Sequence, residues 1–107
     1  IQNIRSRNFQ NLKHLRLNSL KMKSISFFQQ NLIPALIELD LSRNNLSNLN
    51  LSQTFSRLEK LLFLNLSQVG LESLDSLLIS KFVELEILDL SFNSLISIPK
   101  DYFKKNM

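Results

Sequence analysis

The feature that most constrains the fold of this chain of 107 residues is a set of four leucine triplets, L-x-x-L-x-L, at a nearly constant spacing. The triplets begin at Leu12, Leu36, Leu61 and Leu85, so that successive starts are 24, 25 and 24 residues apart. Later positions in each unit are also apolar, and they comprise Met22, Leu46, Leu71 and Leu95, then Ile25, Leu49, Leu74 and Ile98. A fixed period of this length indicates a repeat architecture with one supersecondary unit per repeat.

The triplet predicts a short strand in each repeat. In a strand, alternate side chains point to opposite faces, so Leu39 and Leu41 should face a core while Glu38 and Asp40 face solvent. One repeat cannot bury its leucines alone, and stacking on its neighbours covers them. We therefore predict an α/β solenoid, with a short parallel sheet on the concave face and irregular, 3-10 or short helical segments on the convex side.

The period also predicts how the chain is organised. It indicates one array over residues 1–107, made of a partial repeat 1–11, repeats 12–35, 36–60 and 61–84, and an incomplete repeat 85–107. At the start, Ile1, Ile4 and Phe9 have the spacing of the second half of a repeat. We expect a fragment of a longer solenoid, because terminal repeats normally need capping units.

The pattern LxxLxLxxNxLxxI followed by FxxL resembles the leucine-rich repeat family over essentially the whole chain. The spacing, and the phrases LDLSRNNL and LDLSFNSL, are similar to the typical class of repeat in extracellular receptors such as Toll and Toll-like receptors. The resemblance implies recognition of a protein or microbial ligand in innate immune or developmental signalling, without catalysis. It also implies homo- or heterodimerisation along the solenoid.

The resemblance further implies a structural role for Asn44 and Asn93. In the family this asparagine is buried at the bend after the strand, where its amide satisfies main-chain groups that would otherwise lack partners. The pattern departs from asparagine at Leu20 and Val69. We expect this asparagine ladder to be broken there, with water or local main-chain adjustment serving those turns.

The composition argues against an enzyme, a metalloprotein or a cofactor-dependent protein. The chain has one histidine, one glycine and no cysteine. His14 falls at an outward strand position with no evident serine or carboxylate partner in the sequence. One histidine with scattered carboxylates does not make a zinc site.

The outward strand positions form the candidate binding surface. The predicted concave surface comprises His14, Arg16, Glu38, Asp40, Phe63, Asn65, Ile87, Asp89 and Phe92. Its exposed apolar residues, rimmed by carboxylates, favour a protein contact. Two other interpretations are that loops cover these residues or that Phe92 folds back onto the core edge. Arg16 and Asp40 are expected to pair across adjacent strands.

Three N-x-S sequons bear on the compartment. Asn45, Asn50 and Asn65 are candidate N-glycosylation sites, although a chain rich in leucine and serine generates N-L-S by composition. They favour an extracellular or cell-surface ectodomain. The alternative is a cytoplasmic scaffold or adaptor of the same fold, which would carry no glycan. Membrane attachment would come only through flanking segments, since no apolar run approaches the roughly 20 residues of a spanning helix.

Charge is spread unevenly along the chain. The formal charge is +6 over residues 1–35, −4 over 36–99 and +2 over 100–107. A basic first third is usually a solvated flank, but it leaves open the binding of an anionic ligand such as nucleic acid. Phe9 is the one Phe, Tyr or Trp residue between the first and last of these bases, Arg5 and Lys23, and this scarcity weighs against that alternative.

Overall fold

The computed structural model of the chain describes residues 10–21, 33–47, 53, 55–72, 82 and 84–95. This part contains four strands: β1 (His14–Arg16), β2 (Glu38–Asp40), β3 (Phe63–Asn65) and β4 (Ile87–Asp89). They form one sheet in chain order, and each neighbouring pair is parallel. The predicted short parallel sheet is present, and its order is compatible with a leucine-rich-repeat solenoid.

The leucines place the core on one face of this sheet. The central residues of β2 and β3, Leu39 and Leu64, are fully buried, while Leu15 in β1 and Leu88 in β4 are half-buried. Full burial of a leucine side chain stabilises a fold by about 1.5–3 kcal/mol. The inner strands therefore contribute most, because each is covered on both sides.

A second set of apolar residues closes the core away from the strands. Ile33, Leu58 and Phe82 precede successive triplets at the same spacing, and all three are buried. Phe82 packs against Phe55, with ring centroids 6.2 Å apart and planes tilted by 43°. Most of the expected convex side falls outside the described residues, so its local structure stays a prediction, as does the division into repeats.

The main chain continues the sheet into the turn that follows each strand. The N–H of Leu17 donates to the carbonyl of Asp40 at 2.8 Å, and that of Ser19 donates to Ser42 at 3.0 Å. The same two bonds recur between the later strands. One equivalent position in every turn has a positive φ of 52–59°, and it is occupied by Ser19, Arg43, Gln68 and Phe92. Each turn thus has a left-handed residue at this position.

An asparagine amide joins the turns after β1 and β2. Asn44 is 4% exposed, and its Nδ2 donates to the carbonyls of Leu17 at 3.0 Å and Leu41 at 2.9 Å. Its Oδ1 accepts the N–H of Leu20 at 3.1 Å. One side chain therefore satisfies main-chain groups in its own turn and in the preceding one.

The turns after β3 and β4 are joined in the same way by Asn93. Its Nδ2 donates to the carbonyls of Leu66 at 2.8 Å and Leu90 at 2.9 Å. Its Oδ1 accepts the N–H groups of Val69 at 3.0 Å and Leu71 at 3.1 Å. We refer to these two places, spanned by Asn44 and by Asn93, as the bridged junctions.

The structure corrects the expectation that water or main-chain adjustment alone serves the turns at Leu20 and Val69. The asparagine of the following repeat reaches both turns, because an amide can donate and accept at once. Main-chain adjustment is also present: Lys21 and Gly70, the next residues, have positive φ of 55° and 83°. Asparagine in alternate repeats therefore still provides side-chain hydrogen bonds to every described turn.

The junction between the turns after β2 and β3 has no such bridge, and we refer to it as the open junction. Val69 occupies the asparagine position and is fully buried. The link there is a main-chain bond from the N–H of Leu46 to the carbonyl of Val69 at 2.9 Å. Burial and main-chain bonding replace the side-chain amide.

Candidate functional site

The outward face of the sheet brings the predicted surface residues into one array. Strand alternation puts them opposite the buried leucines, and the register places those of neighbouring strands side by side. His14, Arg16, Ile87 and Phe92 are exposed, while Glu38, Asp40, Phe63, Asn65 and Asp89 are half-buried. Their arrangement on one face is observed, and their role in binding stays a prediction.

The apolar part of this array lies on β3 and β4. Phe63 and Ile87 are register partners, and parallel neighbours lie about 4.8 Å apart. Ile87 is 55% exposed. Phe92, in the turn after β4, is 83% exposed and has φ of 57°. Phe92 therefore does not fold back onto the core edge.

The polar part on β1 and β2 corrects one expected contact. His14 Nδ1 lies 3.1 Å from Glu38 Oε1, and the Arg16 guanidinium lies 4.0 Å from the same oxygen. Arg16 therefore approaches Glu38, and the expected Arg16–Asp40 pair does not form. Exposed pairs of this kind contribute about 0–1 kcal/mol.

The Asp40 carboxylate instead accepts hydrogen bonds from the turn that follows β2. Its Oδ1 accepts the N–H of Ser42 at 3.0 Å and the Ser42 hydroxyl at 2.7 Å. Asp89 makes the same two bonds to Ser91, at 3.0 and 2.7 Å. Hydrogen bonds from the hydroxyl and the N–H of Ser91 hold the pKa of Asp89 below its ordinary value of 3.8, against a smaller opposing effect of burial.

The sequon asparagines are placed differently. Asn45 is exposed beyond the strand, and its Oδ1 accepts the Ser47 hydroxyl at 3.1 Å. Asn65 is half-buried on the outward face, where its Oδ1 accepts the N–H of Ser67 at 2.9 Å. Asn50 lies outside the described residues.

Neither a metal centre nor a spanning helix is found in the described part of the chain. No group of three or more histidine, cysteine, aspartate or glutamate side chains is placed to hold a metal ion there. The same residues include no helix that is long and apolar enough to cross a membrane.

Sequence reasoning missed a cleft at the open junction. It has a volume of about 290 Å³ and is lined by Arg43, Asn44, Asn45, Gln68, Val69 and Gly70. Gly70 was the available signal, because it is the one glycine of the chain. Its φ of 83° suits glycine, and a Cβ there would lie 3.3 Å from the Cβ of Ser47.

Comparison with known proteins supports the presence of leucine-rich repeats in this chain. The chain is 35% identical over 82 residues to transforming growth factor beta activator LRRC33 of Danio rerio, a leucine-rich-repeat-containing protein. The match covers 76% of this chain but 12% of that relative. No protein-family model matches the chain. No solved structure matches it significantly. The similarity fits a protein-interaction role.

Proposed function

We propose that this chain is a run of leucine-rich repeats that recognises a protein ligand without catalysis, within a receptor of the Toll-like type on the cell surface or outside the cell. A microbial ligand and dimerisation along the repeats belong to the same proposal. The proposed contact is the outward face of β3 and β4, with the neighbouring carboxylates as its polar rim.

The observation that carries the proposal is the apolar pair on this face, formed by half-buried Phe63 and exposed Ile87. A polar residue at an outward strand position would be hydrated at no cost, yet this face holds Phe63 beside Ile87, and Ile87 is 55% exposed. Three carboxylates share the face with the pair: Glu38 is the register partner of Phe63, and Asp40 and Asp89 lie on either side of Asn65. Apolar side chains rimmed by polar ones are typical of a protein contact surface.

The relative gives independent support for a protein ligand. Its name describes it as an activator of transforming growth factor beta, which is itself a protein. The chain spans 12% of that relative's length. A partner of the whole relative is therefore only a first candidate for screening with this chain. Transforming growth factor beta is therefore the first ligand to be tested.

The test compares binding by variants of the chain. A panel of secreted proteins that includes transforming growth factor beta is screened by biolayer interferometry against the immobilised chain. For any binder, Phe63→Ser and Ile87→Ser should each weaken affinity by about tenfold or more, as expected for apolar residues at the centre of an interface.

Leu20→Ser is the matched control, because Leu20 is 50% exposed but lies in a turn outside the strand face. Its affinity should equal that of the unmodified chain. Equal affinity of all four proteins, with circular dichroism showing that they are folded, would remove the strand face from the interface.

The proposed location has its own test. Expressed behind a secretion signal in animal cells, the chain should carry glycan on at least one of its three sequons, at Asn45, Asn50 and Asn65, detected as a mass loss on enzymatic deglycosylation. Replacing each asparagine by glutamine in turn should identify the modified site from the mass loss that disappears. A secreted, folded chain without glycan at Asn45, Asn50 or Asn65 would favour the intracellular scaffold or adaptor instead.

A further inference from the structure

The cleft lies at the open junction, where Val69 takes the place of a bridging asparagine. Where asparagine is present, its amide fills the space between two turns and donates to both. At the open junction Val69 is turned into the core, and the cleft lies between residues 43–45 of one turn and 68–70 of the next. The cleft is distinct from the outward strand face discussed above, because its lining comes from the turns.

The rim of the cleft is rich in hydrogen-bond donors. The side chains of Arg43, Asn45 and Gln68 are all exposed there. The ion pairs of the described residues involve Glu38, so the Arg43 guanidinium has no carboxylate partner among them. Asn45 uses its Oδ1 to accept the Ser47 hydroxyl, which leaves its Nδ2 available to donate.

The lining also limits what the cleft can hold. No carboxylate lines it, so nothing of opposite charge competes for Arg43. At about 290 Å³ it lies at the lower end of the range of ligand pockets and suits a single side chain better than a cofactor. Gly70, which is exposed, adds a main-chain surface beside the donors.

We infer that this cleft binds the carboxylate of an acidic side chain presented by a protein partner. A guanidinium matches a carboxylate by two parallel N–H···O bonds, and one cation balances one negative charge. The amides of Asn45 and Gln68 supply further donors to the same oxygens.

Glycosylation of Asn45 and use of the cleft are alternatives. A glycan would be attached to the Nδ2 atom that the cleft offers as a donor, and it would cover the rim. The binding experiment therefore uses chain produced in bacteria, where Asn45 is unmodified.

The test is an NMR titration of the nitrogen-15-labelled chain with N-acetyl-glutamate N-methylamide at millimolar concentrations. The side-chain NH₂ signals of Asn45 and Gln68 and the amide of Gly70 should shift in a saturable manner. N-acetyl-glutamine N-methylamide has the same shape without the charge, and it should produce no saturable shift.

Two variants and a matched control connect the shifts to the cleft. Arg43→Gln should weaken binding by about tenfold or more, since a charged hydrogen bond is lost, and Gln68→Ala by about threefold. Arg57→Gln removes an exposed arginine that does not line the cleft and should leave binding unchanged. The amides of β2 and β3 report that each variant remains folded.

Several results would overturn the inference. One is an equal response to the glutamate and glutamine probes, and another is an equal loss of affinity in Arg43→Gln and Arg57→Gln. Inorganic phosphate at the same concentration should bind less tightly than the glutamate probe. Tighter binding of phosphate would replace the carboxylate assignment by a general anion site.

Discussion

The bridged junctions and the open junction connect equivalent turns in different ways. Asn44 and Asn93 each cross to the preceding turn and satisfy a carbonyl and an N–H there. At the open junction fully buried Val69 occupies the same position, and the Leu46 N–H bonds to its carbonyl. The same register of strands is thus maintained by a side-chain amide in two places and by apolar burial in one.

This difference shows that the asparagine is not required in every repeat. An amide has two donors and an acceptor, so one asparagine serves two consecutive turns. The turns after β1 and β3 have no asparagine of their own, and each has a second left-handed residue, Lys21 or Gly70, directly after the asparagine position. In the turns that contain Asn44 and Asn93, the equivalent residues Asn45 and Ser94 do not have a positive φ. The alternation therefore changes both bonding and backbone shape.

The largest expected effect comes from removing a bridge. Asn44→Ala leaves the buried carbonyls of Leu17 and Leu41 and the N–H of Leu20 without that partner. We expect a loss of about 3 kcal/mol in the free energy of unfolding, because unsatisfied buried groups each cost about 1–3 kcal/mol. Urea denaturation followed by circular dichroism measures it.

Asn93→Ala is the comparison, since Asn93 makes equivalent bonds but is half-buried. Water can reach the groups it leaves, so the loss should be smaller, about 2 kcal/mol. A larger loss for Asn93→Ala than for Asn44→Ala would contradict the account based on burial.

A bridge can also be added to the open junction. In Val69→Asn the register directs the new amide toward the carbonyls of Leu41 and Leu66, which already accept from Asn44 and Asn93. The substitution replaces a fully buried apolar group by a polar one, and the new amide finds few carbonyls that still lack a donor. We expect a loss of about 1–2 kcal/mol by the same urea assay. A gain in stability would show that only the residue type keeps this junction open.

Substitutions at the second left-handed residue should change the free energy of unfolding in opposite directions in the two turns that have one. Gly70→Ala places a Cβ at φ of 83° and 3.3 Å from the Ser47 Cβ, and it should cost about 1–2 kcal/mol. Lys21→Gly relieves a non-glycine residue at φ of 55° and should stabilise by up to about 1 kcal/mol. Thermal unfolding measures both, and equal signs would refute the strain argument.

The smallest expected effect concerns Asp89, which precedes the turn containing Asn93. Its pKa is lowered in the folded state, so its stabilising contribution is present above its ordinary value of 3.8 and is lost as pH falls through the folded value. Asp89→Asn retains an acceptor for Ser91, as Asn65 does for Ser67, but does not titrate.

The Asp89→Asn variant should therefore lose less stability than the unmodified chain as the pH is lowered below about 3.8, as measured by acid titration of the circular dichroism signal. Glu59→Gln is the control, since Glu59 is an exposed carboxylate outside these turns. Identical acid profiles for Asp89→Asn and the unmodified chain would exclude Asp89 as a contributor.

The leucine period was sufficient to place the strands. It located β1 to β4, their parallel register and the buried leucines, because alternation and a repeat of 24 or 25 residues leave one way to stack them. It also assigned Phe63, Ile87 and their neighbours to the outward face. It did not identify the partners of His14, Arg16 or Asp40, because a side chain several bonds long can reach more than one neighbour.

What the sequence determined by itself is the period, and with it the face on which each strand residue lies, since both follow from spacing along the chain. Which groups bond between neighbouring turns was decided by the tertiary structure. Asn44 reaches Leu17 and Leu20, 27 and 24 residues away, only once the strands are stacked. The cleft beside Gly70 likewise exists only between two turns, and no single repeat contains it.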